Sequence, residues 1–429
     1  MPPVFEKLSK PPDGLYFEGT VAVQEKKSRK WAITAAVAGV LVVGGGIGAA
    51  FATGIFEPSA TEQSPAAKAS ASPSVSAAPV SITATPADGA VEVNPATMPT
   101  VTATNATIES VSLKPSSGGD PVPGVLSPDE TSWTADAPLA FNTTYAMDVI
   151  LTDQAGRETT RTQSFETVKP ANEANAFMYP QNAAVVGVGQ PIEINFSEPV
   201  INKDAVEQAI TISSTSGQTG AFHWITDNKV RYRPEAFWAP NSAITVDMRL
   251  FGVDFGNGMI GNFNETRTFN THNTRLAVVD NTTKTMQVFI DGQLARTFPV
   301  TLGEPTWPSP SGYQVVVSQH EKLPFRAESI GLKPGDPDYY EPFDASWASR
   351  LTNSGVFVHQ ALDGALGALG RINVSHGCVG MSAEGAKYFF DTFEPGDVVQ
   401  VLNTEVGPVS VDDGFGDWNV PWDQYAGQP

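Results

Sequence analysis

The chain has 429 residues, 41% of them hydrophobic and 17% charged, with a formal net charge of −20. That composition folds, the length allows about two to four domains, and the acidic balance excludes a nucleic-acid surface, which needs clustered Lys and Arg to displace counterions. A single cysteine, Cys378, excludes an intrachain disulfide framework, while 38 Gly and 34 Pro favour turn-rich β structure.

In chain order, residues 1–30 end on Lys26, Lys27, Arg29 and Lys30. Residues 31–56 then run without a charge, long enough as a helix to cross a ~30 Å hydrocarbon core. The positive-inside rule predicts a cytoplasmic segment 1–30, a transmembrane signal-anchor 31–56, and everything beyond it outside the cell membrane. A cleaved signal peptide would have a shorter apolar region closer to the N-terminus, although Ala50 and Ala52 offer small residues for cleavage. Residues 57–79 are dominated by Ala, Ser and Pro and read as a linker.

Two similar segments follow, 80–168 and 169–272. Each carries alternating runs that read as strands, such as Thr144–Leu151 in the first and Ala243–Leu250 in the second. Each closes alike, with a Gly turn (around Gly156; around Gly256 and Gly258) and a Thr/Arg-rich strand. An internal repeat of this size predicts two immunoglobulin-like β-sandwiches. Neither collects a nucleophile, a base and an acid, so both read as spacers, with Trp133, Trp224 and Trp238 as core residues.

The region 273–404 opens with strand signals over Arg275–Asp280 and Lys284–Ile290. Asp291-Gly292 between apolar runs predicts a hairpin. Residues 383–393 have helical spacing with Ser382 as the cap; Pro395-Gly396 ends that helix, and Val398–Leu402 reads as a closing strand. The fold class is therefore mainly β, with one or two helices in this last domain. Residues 405–429 form a C-terminal extension expected to pack on it.

The chemistry concentrates here. Val356-Phe357-Val358-His359 reads as a strand delivering a histidine at its end, and Ser375-His376-Gly377-Cys378 follows. A lone Cys is ordinarily a small buried hydrophobe, but an imidazole at hydrogen-bond distance can take a thiol proton during attack. Gly377 permits a tight turn beside the sulfur, whose backbone N–H groups can stabilise an oxyanion. Zinc is the rival reading; it wants three or four ligands at recognised spacing, and neither a C-x-x-C nor an H-x-x-x-H reinforces the two His and one Cys.

The run His359 … Ser375-His376-Gly377-Cys378 resembles the signature of L,D-transpeptidases with a YkuD-type catalytic domain. Pro308–Tyr313, Ser354–His359 and Gly416–Gln424 are similar to further stretches of the mycobacterial and corynebacterial type, which carries a membrane segment and two immunoglobulin-like domains. The resemblance implies Cys378 as nucleophile, His359 as general base, His376 as a supporting histidine, and Tyr340 as a donor-contacting tyrosine on a lid spanning 314–346. Ser375, Gly377, Gln360 and Gly380 complete the expected substrate-binding set. Two positions depart from the family's pattern. Gly380 stands where Asn or Arg is usual, and Gln360 where Ser is often found. The implied partners are peptidoglycan stem peptides as acyl donor and acceptor amine, carbapenem inhibitors and the cytoplasmic membrane. No metal or organic cofactor is implied. A hydrolase or carboxypeptidase on the same scaffold, and a non-catalytic wall-binding module, are the competing functions.

Overall fold

The computed structural model describes residues 78–427. The expected cytoplasmic segment, signal-anchor and nearly all of the linker lie outside the described residues. Among the described residues, no helix is long and apolar enough to cross a membrane.

The first sandwich pairs Ser81–Thr85, Thr100–Thr104, Ser132–Ala135 and Gly124–Leu126 in one sheet, in that order. The second sheet holds Ala106–Pro115, Thr144–Asp153 and Glu158–Glu166. Strand periodicity places Tyr145, Met147, Val149 and Leu151 on one face, and they meet Val101 and Trp133 from the opposite sheet in one core.

The second sandwich joins two four-stranded sheets over a separate core around Ile194, Trp224, Trp238, Val246 and Phe269. It is not a copy of the first, because it adds a short helix, Lys203–Gln208, and a small sheet that includes Asp254–Gly256 and Met259–Gly261. The tryptophans are buried with their donors satisfied: Trp238 Nε1 donates to the Gln190 carbonyl (2.8 Å) and Trp224 Nε1 to Glu207 (2.6 Å).

The last domain is built on a ten-stranded sheet. Its hairpin turns at Asp291-Gly292, both with positive φ (49° and 78°), the backbone a two-residue type I′ turn requires. The helix Ala383–Thr392 is capped by the Ser382 hydroxyl, which accepts from the Gly385 N–H (3.1 Å), and it buries Ala386 and Phe389 against the sheet. Val398–Leu402 pairs in parallel with Arg275–Asp280 on one side and antiparallel with Pro310–Val315 on the other, so the closing strand is interior to the sheet.

The lid falls four residues later than the expected 314–346. Pro310–Val315 belongs to the body of the sheet, paired with Val398–Leu402, and Tyr313 and Val315 are buried beside Phe415 and Trp418. The lid proper is the hairpin Ser318–Phe325 with Phe343–Arg350, whose connection includes the 3₁₀ turn Ala327–Ile330.

The C-terminal extension packs on two domains, not one. Asn419 brackets Tyr313 of the catalytic domain, accepting from its N–H (2.6 Å) and donating to its carbonyl (2.7 Å). From the second sandwich, fully buried Arg231 donates to Asp417 (2.9 Å) and Glu193 (2.8 Å), and Arg233 donates to the Val420 carbonyl (2.7 Å) beneath the Tyr425 ring. Backbone bonds from Gly187 to Pro395 and from Gly189 to Gly396 (both 2.9 Å) complete the junction. A buried guanidinium is tolerable only with partners, and the extension supplies several of them.

Candidate active site

Cys378 immediately precedes the strand Val379–Met381 and follows a loop that is closed on itself. The Ser375 hydroxyl donates to the Cys378 carbonyl (2.7 Å) and accepts from the Gly377 N–H (3.2 Å). Gly377 has φ +112°, a conformation that side-chain-bearing residues rarely adopt. Ser309 clamps the loop from outside by donating to the Gly377 carbonyl (2.7 Å). The Pro308–Tyr313 stretch thus reaches the site through one buried hydroxyl.

His359 sits on the adjacent parallel strand, Phe357–Gln360, in register with Gly380. Its Nδ1 meets the Gln360 carbonyl (2.8 Å). A carbonyl only accepts, so Nδ1 carries the proton and Nε2 is left with the lone pair. Burial holds the His359 imidazole below its ordinary pKa, opposed by that carbonyl. Burial also pushes the Cys378 thiol up to about 11, while the Phe357 N–H and the Arg350 guanidinium pull the other way. The sulfur donates to the Gly355 carbonyl (3.4 Å), and among the described residues no hydrogen bond joins it to His359. At neutral pH the resting pair is a thiol and a neutral imidazole, not an ion pair.

His376 is turned toward the lid. Its Nε2 meets the Asp338 carbonyl (3.0 Å), and Asp338 also accepts from Trp307 Nε1 (2.9 Å). The His376 ring lies 5.3 Å from Tyr340 and 5.5 Å from Trp307. The histidine therefore ties the lid to the cysteine loop. Tyr340 is kept protonated, its pKa pushed up to about 12 chiefly by burial and then by Cys378, so its hydroxyl remains a donor.

Two cavities converge on Cys378. One, about 190 Å³, is lined by His359, Thr301, Gly380, Ser375 and the lid residues Tyr340 and Phe343. The other, about 160 Å³, is lined by Arg350, Asn353, Gly355 and Ser329. Phe325, Tyr340 and His376 border both. The structure thus brings Cys378, His359, His376, Tyr340, Ser375 and Gly380 together. Gly377 and Gln360 act through backbone, as the turn and as the carbonyl that sets the tautomer. The bare position 380 has a steric reason: a Cβ there would lie 2.8 Å from Thr301 Cγ2.

Sequence reasoning missed Thr301 and Arg350. Arg350 pairs with Phe357 across antiparallel strands and lays its guanidinium over the Phe357 ring at 4.4 Å. No local motif marks it; only the strand register brings it to the sulfur. Among the described residues, no three of His, Cys, Asp and Glu converge as a metal site.

Residues 90–254 match the model of a bacterial Ig domain, and residues 274–401 match that of an L,D-transpeptidase catalytic domain. The chain is 36% identical over 344 residues to L,D-transpeptidase 2 of Mycobacterium tuberculosis (strain CDC 1551 / Oshkosh), covering 80% of this chain and 83% of that protein. It is 28% identical over 352 residues to L,D-transpeptidase 5 of M. tuberculosis (strain ATCC 25618 / H37Rv), covering 80% and 76%. Among solved structures, that of LD transpeptidase LdtMt1 in complex with imipenem is 32% identical and covers 55% of this chain and all of its own, with a TM-score of 0.48.

Proposed function

The chain belongs to the L,D-transpeptidase family, and on that footing we propose that it forms 3→3 peptidoglycan cross-links by acyl transfer through Cys378. The observation that carries this reading is the cavity shared by Cys378 and His359, where the imidazole is fixed with Nε2 unprotonated. As Cys378 Sγ attacks the carbonyl of the third residue of a tetrapeptide stem, His359 Nε2 takes the thiol proton. The C–N bond to the terminal D-Ala breaks, the amine leaves with that proton, and a thioester remains. A side-chain amine of a second stem then attacks the thioester, gives its proton to His359 and regenerates the thiol. The Tyr340 hydroxyl, held protonated and lining the same cavity, is a side-chain donor for the developing oxyanion. The lid shields the thioester from water, which favours aminolysis.

A strained β-lactam carbonyl presents the same electrophile, so carbapenems are expected to acylate Cys378; the related LdtMt1 has been solved in complex with imipenem. The uninterrupted apolar run 31–56 behind Lys26–Lys30 supports a single membrane anchor with the folded domains outside. Incubation with purified disaccharide-tetrapeptide, read by mass spectrometry, tests the activity. A cross-linked dimer with released D-Ala is expected. Free tripeptide without dimer would make water the acceptor, and no product at all would overturn the reading. Protease added to spheroplasts should remove the folded domains while sparing a tag at residue 1; a protected C-terminus would refute the anchor.

A further inference from the structure

The second cavity at Cys378 contains a cation that the proposed chemistry does not use. Arg350 is half-buried at the end of the lid strand Phe343–Arg350. Its guanidinium is fixed from two sides: stacked over Phe357 at 4.4 Å, and with Nη1 donating to the carbonyls of Thr352 (3.0 Å) and Asn353 (3.4 Å). Nε and Nη2 have no protein partner among the described residues and are not sealed from solvent. No carboxylate lies at ion-pair distance among the described residues; Asp413 acts on Arg350 only from farther off, and Ser354 engages it. A cation of this kind, anchored through one nitrogen and lining a cavity at the sulfur, supplies the protein side of a bidentate carboxylate site.

The position of the cavity says which carboxylate. It shares Cys378, Phe325, Tyr340 and His376 with the His359 cavity but is walled by Arg350, Asn353 and Gly355 where the other has His359, Thr301 and Gly380. A peptide attacked at Cys378 and seated in the His359 cavity has the Arg350 cavity beside it for the residue that follows the attacked carbonyl. In a donor that ends one residue beyond the attacked carbonyl, the terminal carboxylate is separated from that carbon only by N and Cα, within roughly 4 Å. We propose that Arg350 forms the subsite for the free α-carboxylate of the leaving residue, so that the enzyme selects donors ending there. This rests on the transpeptidase reading for the identity of the donor. A longer stem, or one ending in an amide, would put a neutral group against the guanidinium and forfeit the charge-assisted pair, which disfavours binding.

Binding without turnover separates this inference from the activity. In the full chain carrying Cys378→Ala, calorimetry compares a tetrapeptide stem with a free terminal carboxylate against the same stem ending in a carboxamide. We expect the amide to bind about tenfold or more weakly, the contribution of a charge-assisted hydrogen bond. Adding Arg350→Gln should abolish that preference, and Arg350→Lys should restore part of it. Equal binding of the two stems, or a preference that survives Arg350→Gln, overturns the subsite. If the preference follows Arg350 but the wild type makes neither dimer nor tripeptide, the subsite stands and the transpeptidase reading falls. A second measurement covers the case in which Arg350 serves the sulfur instead. Alkylation of Cys378 by neutral iodoacetamide should shift its pH profile upward by well under one unit in Arg350→Gln, since the guanidinium is the smallest of the influences on the thiol. A profile displaced by a full pH unit together with equal binding of both stems would reassign the guanidinium to the thiolate.

Discussion

Replacing His359 with Ala separates two ways of making a sulfur nucleophile, and the structure sets their magnitudes. With the thiol pushed up to about 11, only about one molecule in 10⁴ holds a free thiolate at pH 7. Attack through that minor species would accelerate about tenfold per pH unit until the thiol titrates. General-base attack instead needs only neutral His359, whose pKa burial holds below the ordinary 6.5. The wild-type acylation rate should then be flat near neutrality and fall only at acid pH, as the coupled thiol–imidazole pair takes up protons. In His359→Ala, acylation by a carbapenem at pH 7 should fall by about 10²–10⁴, the usual contribution of a positioned base. The residual rate should climb about tenfold per pH unit. Intact-mass time courses across pH 5–10, with folding checked by circular dichroism, measure both curves. His376→Ala is the control: its nitrogen is on the Asp338 carbonyl of the lid, so the rate should change without a change in the shape of the pH profile. A folded His359→Ala that acylates undiminished would remove His359 as the base. A wild-type rate rising tenfold per unit from pH 7 to 9 would refute general-base attack itself.

The junction of second sandwich, catalytic domain and C-terminal extension can be tested at Asp417→Ala, which strips a carboxylate from fully buried Arg231; a loss of about 3–5 kcal/mol is expected in denaturant unfolding, and a change below about 1 would mean that Glu193 suffices alone. Gly380→Asn should destabilise by about 1–3 kcal/mol through overpacking against Thr301, and Thr301→Ala should recover most of that in a double-mutant cycle; additive effects would show that the crowding is not the cause. His223 is buried against Tyr425 and held below its ordinary pKa by desolvation. Its unfolded form therefore takes a proton first as pH falls through about 6.5, and stability is lost from there down to the folded pKa. His223→Phe should give a shallower decline in melting temperature between pH 6.5 and 5 than the wild type, and parallel slopes would exclude it as a contributor.

Much of this protein was legible in the sequence because much of it is specified locally. Asp291-Gly292 can adopt the two positive φ values of a type I′ turn and did so. Ser382 sits where an N-cap oxygen must sit, and the alternation in Thr144–Leu151 allows one buried face and no other. The Ser-His-Gly-Cys run is equally local: Gly377 supplies the strained turn, and Ser375 closes it within three residues. Positions that depend on residues far apart in the chain had no such signal. Arg350 reaches the sulfur only because the lid strand pairs with Phe357 in one register. Position 380 is bare because Thr301, on a strand far back in sequence, fills the space beside it. His376 faces Asp338 across the lid, a distinction from His359 that spacing cannot express. The C-terminal extension reads as a cover for one domain, yet it binds two, since the arginines that hold it lie almost 200 residues earlier. Turns, caps and alternation are fixed by the covalent chain within a few residues of themselves. Register, crowding and ion pairing are decided only when distant segments compete for the same space and charge.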